Sequence, residues 1–351
     1  MEGKSVSKQV EKKRYAWVDF LRGFSIIAIV FCHTVKSSFK FVPGLQEWLT
    51  MFMINIFFFL SGMLADEKEY SPYQIIKKRM HSLIIPYILY SIVIISFQVI
   101  QYMIKELELT TLITGIYKTV VLSGIGTLWF IPVLLGANIL YHCFFVSPNL
   151  KKRIIYFAGL FVSLLYTIMY QKIRSEHMLF QALNAPLITC SKTFLSSVFF
   201  VMGHGLKKMI SIIKVDWKTI TAVALSFIVS ILLGSQINGY DLNRLVLPNI
   251  FIYIVVSSIC VIGIVLFGRI MYMLGLRVKV VEWYGRNSLP IMCTHYSIGL
   301  PIANHLAGGG INLSPIDIIC AVGILIAEIP VCMLLEKIAP VFLGKKTNKA
   351  G

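Results

Sequence analysis

Residues 15–35 read YAWVDFLRGFSIIAIVFCHTV, an apolar stretch long enough to cross a membrane that also contains Asp19, Arg22 and His33. Asp19 and Arg22 are three residues apart, so they share one face of a helix. Three helical turns later, about 16 Å further along the axis, His33 returns to that face. Ionisable groups inside a bilayer are costly unless they face a partner or a water-filled cavity. The stretch therefore predicts a membrane helix that lines a polar passage.

Each of these three side chains also has a purely structural interpretation. An arginine near a helix end extends its charge to the membrane surface, and an aspartate beside it then only neutralises that charge. A single histidine in an apolar helix is commonly a packing residue. The occurrence of all three on one face of the first apolar segment favours a functional interpretation.

The composition is that of a membrane protein. Of the 351 residues, 57% are hydrophobic, and the mean hydropathy is +0.78. A formal net charge of +17 is also typical of proteins that bind nucleic acid, but the basic residues here are spread between apolar blocks. Positively charged cytoplasmic loops explain this distribution better. We therefore predict no nucleic-acid partner and extensive contact with membrane lipid.

The apolar blocks predict an all-α, polytopic membrane bundle of about ten transmembrane helices. The blocks are residues 16–35, 48–65, 83–104, 127–147, 153–171, 190–206, 219–235, 247–268, 284–306 and 315–337. Alternate connecting segments contain roughly three times as many Lys and Arg residues as the others, as the positive-inside rule requires of cytoplasmic segments. This bias predicts that both termini are cytoplasmic and that the protein is a multi-pass protein of the inner, or cytoplasmic, membrane.

These boundaries divide the chain into three parts. Residues 1–14 form a basic cytoplasmic segment, residues 15–340 a single membrane domain, and residues 341–351 a basic cytoplasmic tail. The seven cysteines lie in or beside apolar blocks, their number is odd, and no CxxC pair occurs. They are interpreted as small buried residues, so neither a disulfide framework nor a metal site is predicted. The sequence gives no indication of the oligomeric state.

Four short motifs go beyond a generic membrane protein. They are Asp19-Phe-Leu-Arg22-Gly23 with His33 after it, Asn55-Ile-Phe-Phe-Phe-Leu-Ser61-Gly62, Leu128-Trp129-Phe130-Ile131-Pro132, and Gly285-Arg-Asn-Ser288-Leu289 leading to His295. Together they resemble the acyltransferase-3 family of integral membrane acyltransferases over residues 15–340. The first two motifs, in this order, are the more specific ones.

The resemblance implies an O-acyltransferase that moves an acyl group, usually acetyl, from cytoplasmic acyl-CoA to a hydroxyl of a glycan or a lipid-linked sugar. It implies that Arg22 and His33 are the family's catalytic arginine–histidine pair, preceded by its aspartate, Asp19. It also implies acyl-CoA as the donor substrate and no metal. The family's R-x-x-R motif is incomplete here, because Ser82 stands three residues after Arg79.

Residues 71–82, SPYQIIKKRMHS, predict an amphipathic helix on the cytoplasmic surface that continues into the third span. Its basic residues Lys77, Lys78 and Arg79 suit the phosphates of CoA, with Arg22 placed deeper to hold the donor. The alternative is that the three are only topogenic charges at the lipid headgroups.

His33 suits a general base, because a neutral imidazole accepts a hydroxyl proton near neutral pH. Direct attack by His33 to form an acyl-imidazole is the alternative, and the sequence does not separate the two. Trp129, His295 and Ser288 are candidates for acceptor binding. Trp129 is alternatively an interfacial aromatic anchor, and the other two are alternatively partners between helices.

Two other functional classes compete with the enzyme. A transporter or flippase of a lipid-linked sugar also needs a polar stripe and a wet cavity, although no internal repeat of the kind common in transporters is present. A non-catalytic partner in polysaccharide assembly is the third possibility, and it predicts that His33 is dispensable.

Overall fold

The computed structural model describes residues 15–174, 178–236 and 239–345, and these residues form α-helices without a β-strand. The α-helices are α1 (Ala16–Thr34), α2 (Leu45–Phe52), α3 (Asn55–Met63), α4 (Pro72–Arg79), α5 (Ile85–Met103), α6 (Leu109–Val120), α7 (Phe130–Phe144), α8 (Leu150–Ile173), α9 (Met178–Ile212), α10 (Trp217–Gly234), α11 (Ile250–Met273), α12 (Lys279–Arg286), α13 (Ser288–Thr294), α14 (Leu300–Leu306) and α15 (Ile316–Ile338). Two π-helical turns, Met80–Ile84 and His295–Gly299, interrupt the regular helices. The predicted N-terminal segment, residues 1–14, and residues 346–351 of the predicted tail lie outside the described residues.

Eight helices of the described chain are long and apolar enough to cross a membrane, which confirms the predicted class of polytopic helical membrane protein. They are Ala16–Thr34, Leu45–Met63, Pro72–Met103, Leu150–Ile173, Leu179–Ile212, Trp217–Gly234, Ile250–Met273 and Ile316–Ile338. The fourth predicted span contains α7, whose 15 residues reach about 22 Å, short of a hydrocarbon core of about 30 Å. The ninth is divided among α12, α13, a π-turn and α14. The number of ten spans and the side of the termini stay predictions.

Helix α1 is enclosed by the bundle. It packs against α2, α3, α11, α12, α13 and α15. Two thirds of its spanning stretch (67%) is buried inside the protein, compared with 22% for α8 and 17% for α10, which form the apolar periphery. The polar face of α1 is therefore turned towards protein rather than lipid, which lowers the cost of its ionisable groups.

Glycines of the first and last motifs lie where α1 crosses α12. A Cβ atom on Gly23 would overlap the backbone carbonyl of Val281, and one on Gly285 would overlap the carbonyl of Asp19. Between α3 and α9, a Cβ on Gly62 of the second motif would overlap the carbonyl of Phe200, and one on Gly203 would overlap the carbonyl of Phe59. Only glycine lets two helix backbones approach this closely. The motif glycines therefore set the distances between helices.

The chain path places the two ends of α1 in different surroundings. After α1 the chain turns and returns through α2 and α3, so that α4 begins at the end of the bundle where α1 begins. The turn is fixed by Asp317 of α15, whose carboxylate accepts hydrogen bonds from the backbone N–H of Lys36 at 3.2 Å and from the backbone and hydroxyl of Ser38 at 2.8 and 2.6 Å. His33 thus lies at the opposite end of the bundle from α4.

The predicted helix over residues 71–82 begins as its sequence indicates. The Ser71 hydroxyl accepts a hydrogen bond from Gln74 N–H at 3.3 Å, while the Gln74 side chain accepts one from Ser71 N–H at 2.9 Å. Pro72 occupies the first helical position, where its missing N–H costs nothing. The helix passes through the π-turn Met80–Ile84 into α5, so the surface helix and the third span are continuous.

Candidate active site

Asp19, Arg22 and His33 all lie in α1, as the sequence predicts. Asp19 is buried, 4% exposed, beside the crossing with α12, and Arg22 is half-buried. His33 lies in the last turn of the helix, about 16 Å along the axis from Arg22. Helix α1 therefore brings the three onto one continuous element without bringing them into one pocket.

His33 lines a cavity of about 630 Å³, here called the His33 cavity. Its walls come from α1, α2, the end of α6, residues 123–130, α9 and residues 240–244. This volume suits one or two sugar rings and not a whole polysaccharide. On the other side, His33 also borders a second cavity of about 330 Å³, lined by Lys36, Pro301 and Asn304 among others. The imidazole thus borders both cavities.

Trp129 lines the His33 cavity and is 7% exposed, so it is not an interfacial anchor facing lipid. The turn before it requires glycine, since Gly124 and Gly126 have φ of +72° and +55°. A Cβ on Gly124 would also overlap the backbone of Trp129. The hydroxyl of Thr127 donates to the carbonyl of Met292 in α13, which fixes this turn against the element that leads to His295.

Lys192 of α9 is a site residue that the motif analysis missed. It is 1% exposed, lines the His33 cavity, and holds its ammonium 4.7 Å from the centre of the Trp129 ring. The same ammonium donates to the side-chain oxygen of Asn243 at 3.2 Å. Its sequence signal was present: an ionisable residue near the start of the predicted span 190–206 is a functional candidate by default.

A tight loop supplies Asn243 to the cavity. The backbones of Asp241 and Val246 exchange two hydrogen bonds of 2.9 Å, and Leu245 has a φ of +50°. This short closed loop presents Asp241, Asn243 and Arg244 at the cavity wall. The carboxylate of Asp241 accepts from the backbone N–H of Arg244 at 3.1 Å and lies 3.6 Å from its guanidinium.

His295 lies beside His33, with the two ring centres 5.4 Å apart, and the Tyr296 ring lies tilted against His33 with 4.9 Å between the ring centres. His295 is buried in a π-turn, and its Nδ1 lies 2.6 Å from the carbonyl oxygen of Ile291. Because a carbonyl only accepts, Nδ1 carries the hydrogen and Nε2 carries a lone pair. Within the described residues, Nε2 of His295 has no hydrogen-bond partner. The pair offers two neutral imidazoles in sequence from the cavity inwards.

Ser288 is not brought to this site. It begins α13, about 10 Å along the helical path from His295, and is not part of the His33 cavity wall. Between them, Thr294 contacts Glu328 of α15, with 2.6 Å between the hydroxyl and Oε1. The same hydroxyl lies 2.8 Å from the carbonyl oxygen of Pro290, so α13 and α15 are joined by a buried polar contact.

The basic residues at the other end of the bundle form what we call the Lys78 cluster, consisting of Lys77, Lys78, Arg79, Asp66 and Tyr70. The ammonium of Lys78 is paired with the Asp66 carboxylate, donates to the Tyr70 hydroxyl at 3.2 Å, and lies 4.2 Å from that ring. Burial raises the pKa of Asp66, but the hydrogen bond and charge of Lys78 outweigh it, so the pKa is lowered overall. Arg79 is half-buried, and its Nε has no hydrogen-bond partner among the described residues.

These motif residues and their arrangement can be compared with known proteins. A family model described as an acyltransferase domain matches residues 15–336, nearly the whole chain. The chain belongs to the acyltransferase-3 family. No curated protein and no solved structure matches it. Membership in the family establishes a membrane acyltransferase in general terms, which favours the enzyme over the transporter and the non-catalytic partner.

Proposed function

We propose that this acyltransferase is an acyl-CoA-dependent O-acyltransferase of the inner membrane, which transfers an acyl group, in the first instance acetyl, to a hydroxyl of a glycan or lipid-linked sugar in the His33 cavity. The observation that carries the proposal is α1 itself. One buried helix joins Arg22, near the end of the bundle where the Lys78 cluster lies, to His33 in a sugar-sized cavity at the opposite end.

The Lys78 cluster is the proposed dock for the phosphates of CoA. Lys77 is exposed, and Arg79 is half-buried beside it. Arginine and lysine bind phosphate through charge-assisted hydrogen bonds. Lys78 has to leave Asp66 before it can contribute, so its share of donor binding is the smallest of the three. From this dock the acyl-bearing arm would extend past Arg22 towards His33.

His33 is the proposed general base. The acceptor hydroxyl gives its proton to the imidazole while its oxygen attacks the carbonyl carbon of the thioester. When the tetrahedral intermediate collapses, the carbon–sulfur bond breaks, and the thiolate of CoA takes the proton that His33 holds. His295 would keep His33 in position through ring contact at 5.4 Å, and a transient acyl-imidazole on His33 is the alternative route.

A vesicle assay tests the proposal. Protein is reconstituted into liposomes with acetyl-CoA on one side and, on the other, a surface polysaccharide from a strain that lacks this protein. The expected result is release of CoA that depends on the polysaccharide, together with acetyl esters on the sugar found by mass spectrometry. An intact thioester and an unmodified polysaccharide would contradict the proposal, and movement of a lipid-linked sugar added to the same vesicles would support the flippase.

A further inference from the structure

The charges around the His33 cavity are strongly unbalanced. Four basic side chains line it, and among the described residues Asp241 is the single carboxylate that does so. The basic residues are Lys118, Arg174, Lys192 and Arg244. Asp241 is already engaged by Arg244, and no carboxylate of the described residues lies within ion-pair distance of Lys118 or Lys192. A neutral sugar would not compensate the charges of these two lysines.

Lys192 is the decisive residue, because it is almost completely buried while its two neighbours are neutral. The ammonium contacts the amide oxygen of Asn243 and the face of Trp129, and neither group carries a charge. A buried ammonium without a counter-charge is costly, and an anionic ligand in contact with it would stabilise its charged form.

The basic residues also differ in depth. Arg244 is exposed, Lys118 is half-buried, and Lys192 is buried. Burial and the charge of Arg244 lower the pKa of Lys118. Positive charge that extends from the mouth of the cavity to its base attracts an anion and guides it inwards.

We infer that the His33 cavity binds an anionic sugar, carrying a carboxylate or a phosphate, whose negative group is held by Lys192. The inference rests on the proposed function, because it names the class of acceptor for the same cavity. His33 lies about 26 Å from the start of α1, and Lys192 lies about 30 Å from the end of α9. Because α1 starts and α9 ends on the side that the charge bias assigns to the cytoplasm, both residues lie at a similar depth. One acceptor ring can therefore present a hydroxyl to His33 and its anionic group to Lys192.

Binding of three small probes tests the inference without any acyl transfer. The probes are glucuronate, glucose 1-phosphate and methyl glucoside, each titrated into the purified full-length protein in detergent while tryptophan fluorescence is recorded. We expect at least one of the two anions to bind about tenfold or more tightly than methyl glucoside, the magnitude of a hydrogen bond to a charged group. The stronger of the two anions then identifies the carboxylate or the phosphate as the source of the charge.

Variants assign the preference to the cavity. Lys192→Gln should remove the preference for anions, and Lys192→Arg should retain most of it. Lys218→Gln is the matched control, because Lys218 also lies over a tryptophan, Trp217, at 5.9 Å but outside the cavity. Asp241→Asn should strengthen anion binding, since it removes the carboxylate from the wall.

Several results would overturn the inference. These are equal affinity for the three probes, an unchanged anion preference in folded Lys192→Gln protein, or loss of CoA binding instead of glucuronate and glucose 1-phosphate binding in that variant. If Lys192→Gln does not fold, Arg244→Gln and Lys118→Gln replace it, and the absence of any effect in both would also overturn it. A protein that shows the Lys192-dependent preference but transfers no acyl group would contradict the proposed function and leave this inference intact.

Discussion

The Lys78 cluster and the His33 cavity are both rich in basic residues, but these residues differ in burial and in whether a carboxylate pairs with them. In the cluster, the Lys78 ammonium is partly exposed and already paired with Asp66 and Tyr70. In the cavity, Lys192 is buried, its ammonium contacts the neutral side chains of Asn243 and Trp129, and Asp241 is engaged by Arg244. Exposed pairs are screened by salt and contribute little, whereas a buried unbalanced charge is selective. The cluster is therefore suited to capture a common anion, and the cavity to choose a particular one.

The largest effect on acyl transfer is expected for a substitution in the His33 cavity. His33→Ala should lower acyl transfer by about 100- to 10,000-fold, because the general base is lost. Binding of acyl-CoA should be unchanged, since the nucleotide end is expected at the Lys78 cluster. The measurements are transfer and CoA affinity on the same folded preparation. His305→Ala is the control, because that imidazole is 79% exposed. A His33→Ala protein with wild-type turnover would contradict the assignment of proton transfer to His33.

Arg22, between the two regions, should have the next largest effect. Arg22→Ala should lower the affinity for acyl-CoA by about 10- to 100-fold, the range expected for hydrogen bonds to a charged group. Arg22→Lys should restore part of this affinity, since a point charge cannot reproduce the guanidinium fork. Calorimetric titration with acetyl-CoA provides the measurement. Arg269→Ala serves as the comparison, because Arg269 is half-buried over Trp17 near the same end of the bundle. Equal losses in both variants would indicate a general structural effect.

Replacement of Asp66 should have a smaller effect on the affinity for acyl-CoA, and this effect should be an increase. Asp66→Asn should raise the affinity for acyl-CoA a few-fold by releasing Lys78, while Lys78→Gln should lower it, in line with surface pairs of about 1 kcal/mol or less. Because the pKa of Asp66 is lowered in the folded protein, the pair contributes to stability at neutral pH, and this contribution is lost as the pH falls through that lowered pKa.

Titrations with acetyl-CoA at low and high salt would check the prediction for Asp66, and the gain should disappear at high salt. Unchanged affinity in Asp66→Asn would mean that Lys78 is a topogenic charge and takes no part in donor binding.

The smallest effect is expected at Ser288. Ser288→Ala should change acyl transfer by less than about twofold, because Ser288 lies outside the His33 cavity wall. Initial rates at saturating and limiting acceptor would measure the change. A tenfold loss would show that the acceptor runs along α13, and it would weaken the assignment of the acceptor to the Lys192 side of the cavity.

Much of the fold could be predicted because its signals are local. The helical period puts Asp19, Arg22 and His33 on one face of α1, and the chemistry of Ser71 and Pro72 starts α4. Hydropathy alone could not show that α7 is too short or that the ninth predicted span is broken. There the apolar run is continuous, and the breaks depend on how α13 and the π-turn at His295 pack.

Only part of the candidate site could be predicted from the sequence, for a related reason. His33 and Trp129 belong to contiguous motifs, but Lys192 and Asn243 are far from them in sequence and meet them only after folding. A single lysine near a predicted helix end is also a common topogenic charge. Its importance follows from burial, and burial is a property of the packed bundle.

The contact between Gly23 and Gly285 has a mechanical consequence. Where two helices meet backbone to backbone, no layer of side chains exists that can change rotamer and let one helix slide past the other. Helix α1 is therefore held rigidly against α12, and the distance between Arg22 and His33 along the helix does not change. The acyl-bearing arm of the donor must span this distance, so the flexibility that the reaction needs comes from the substrate.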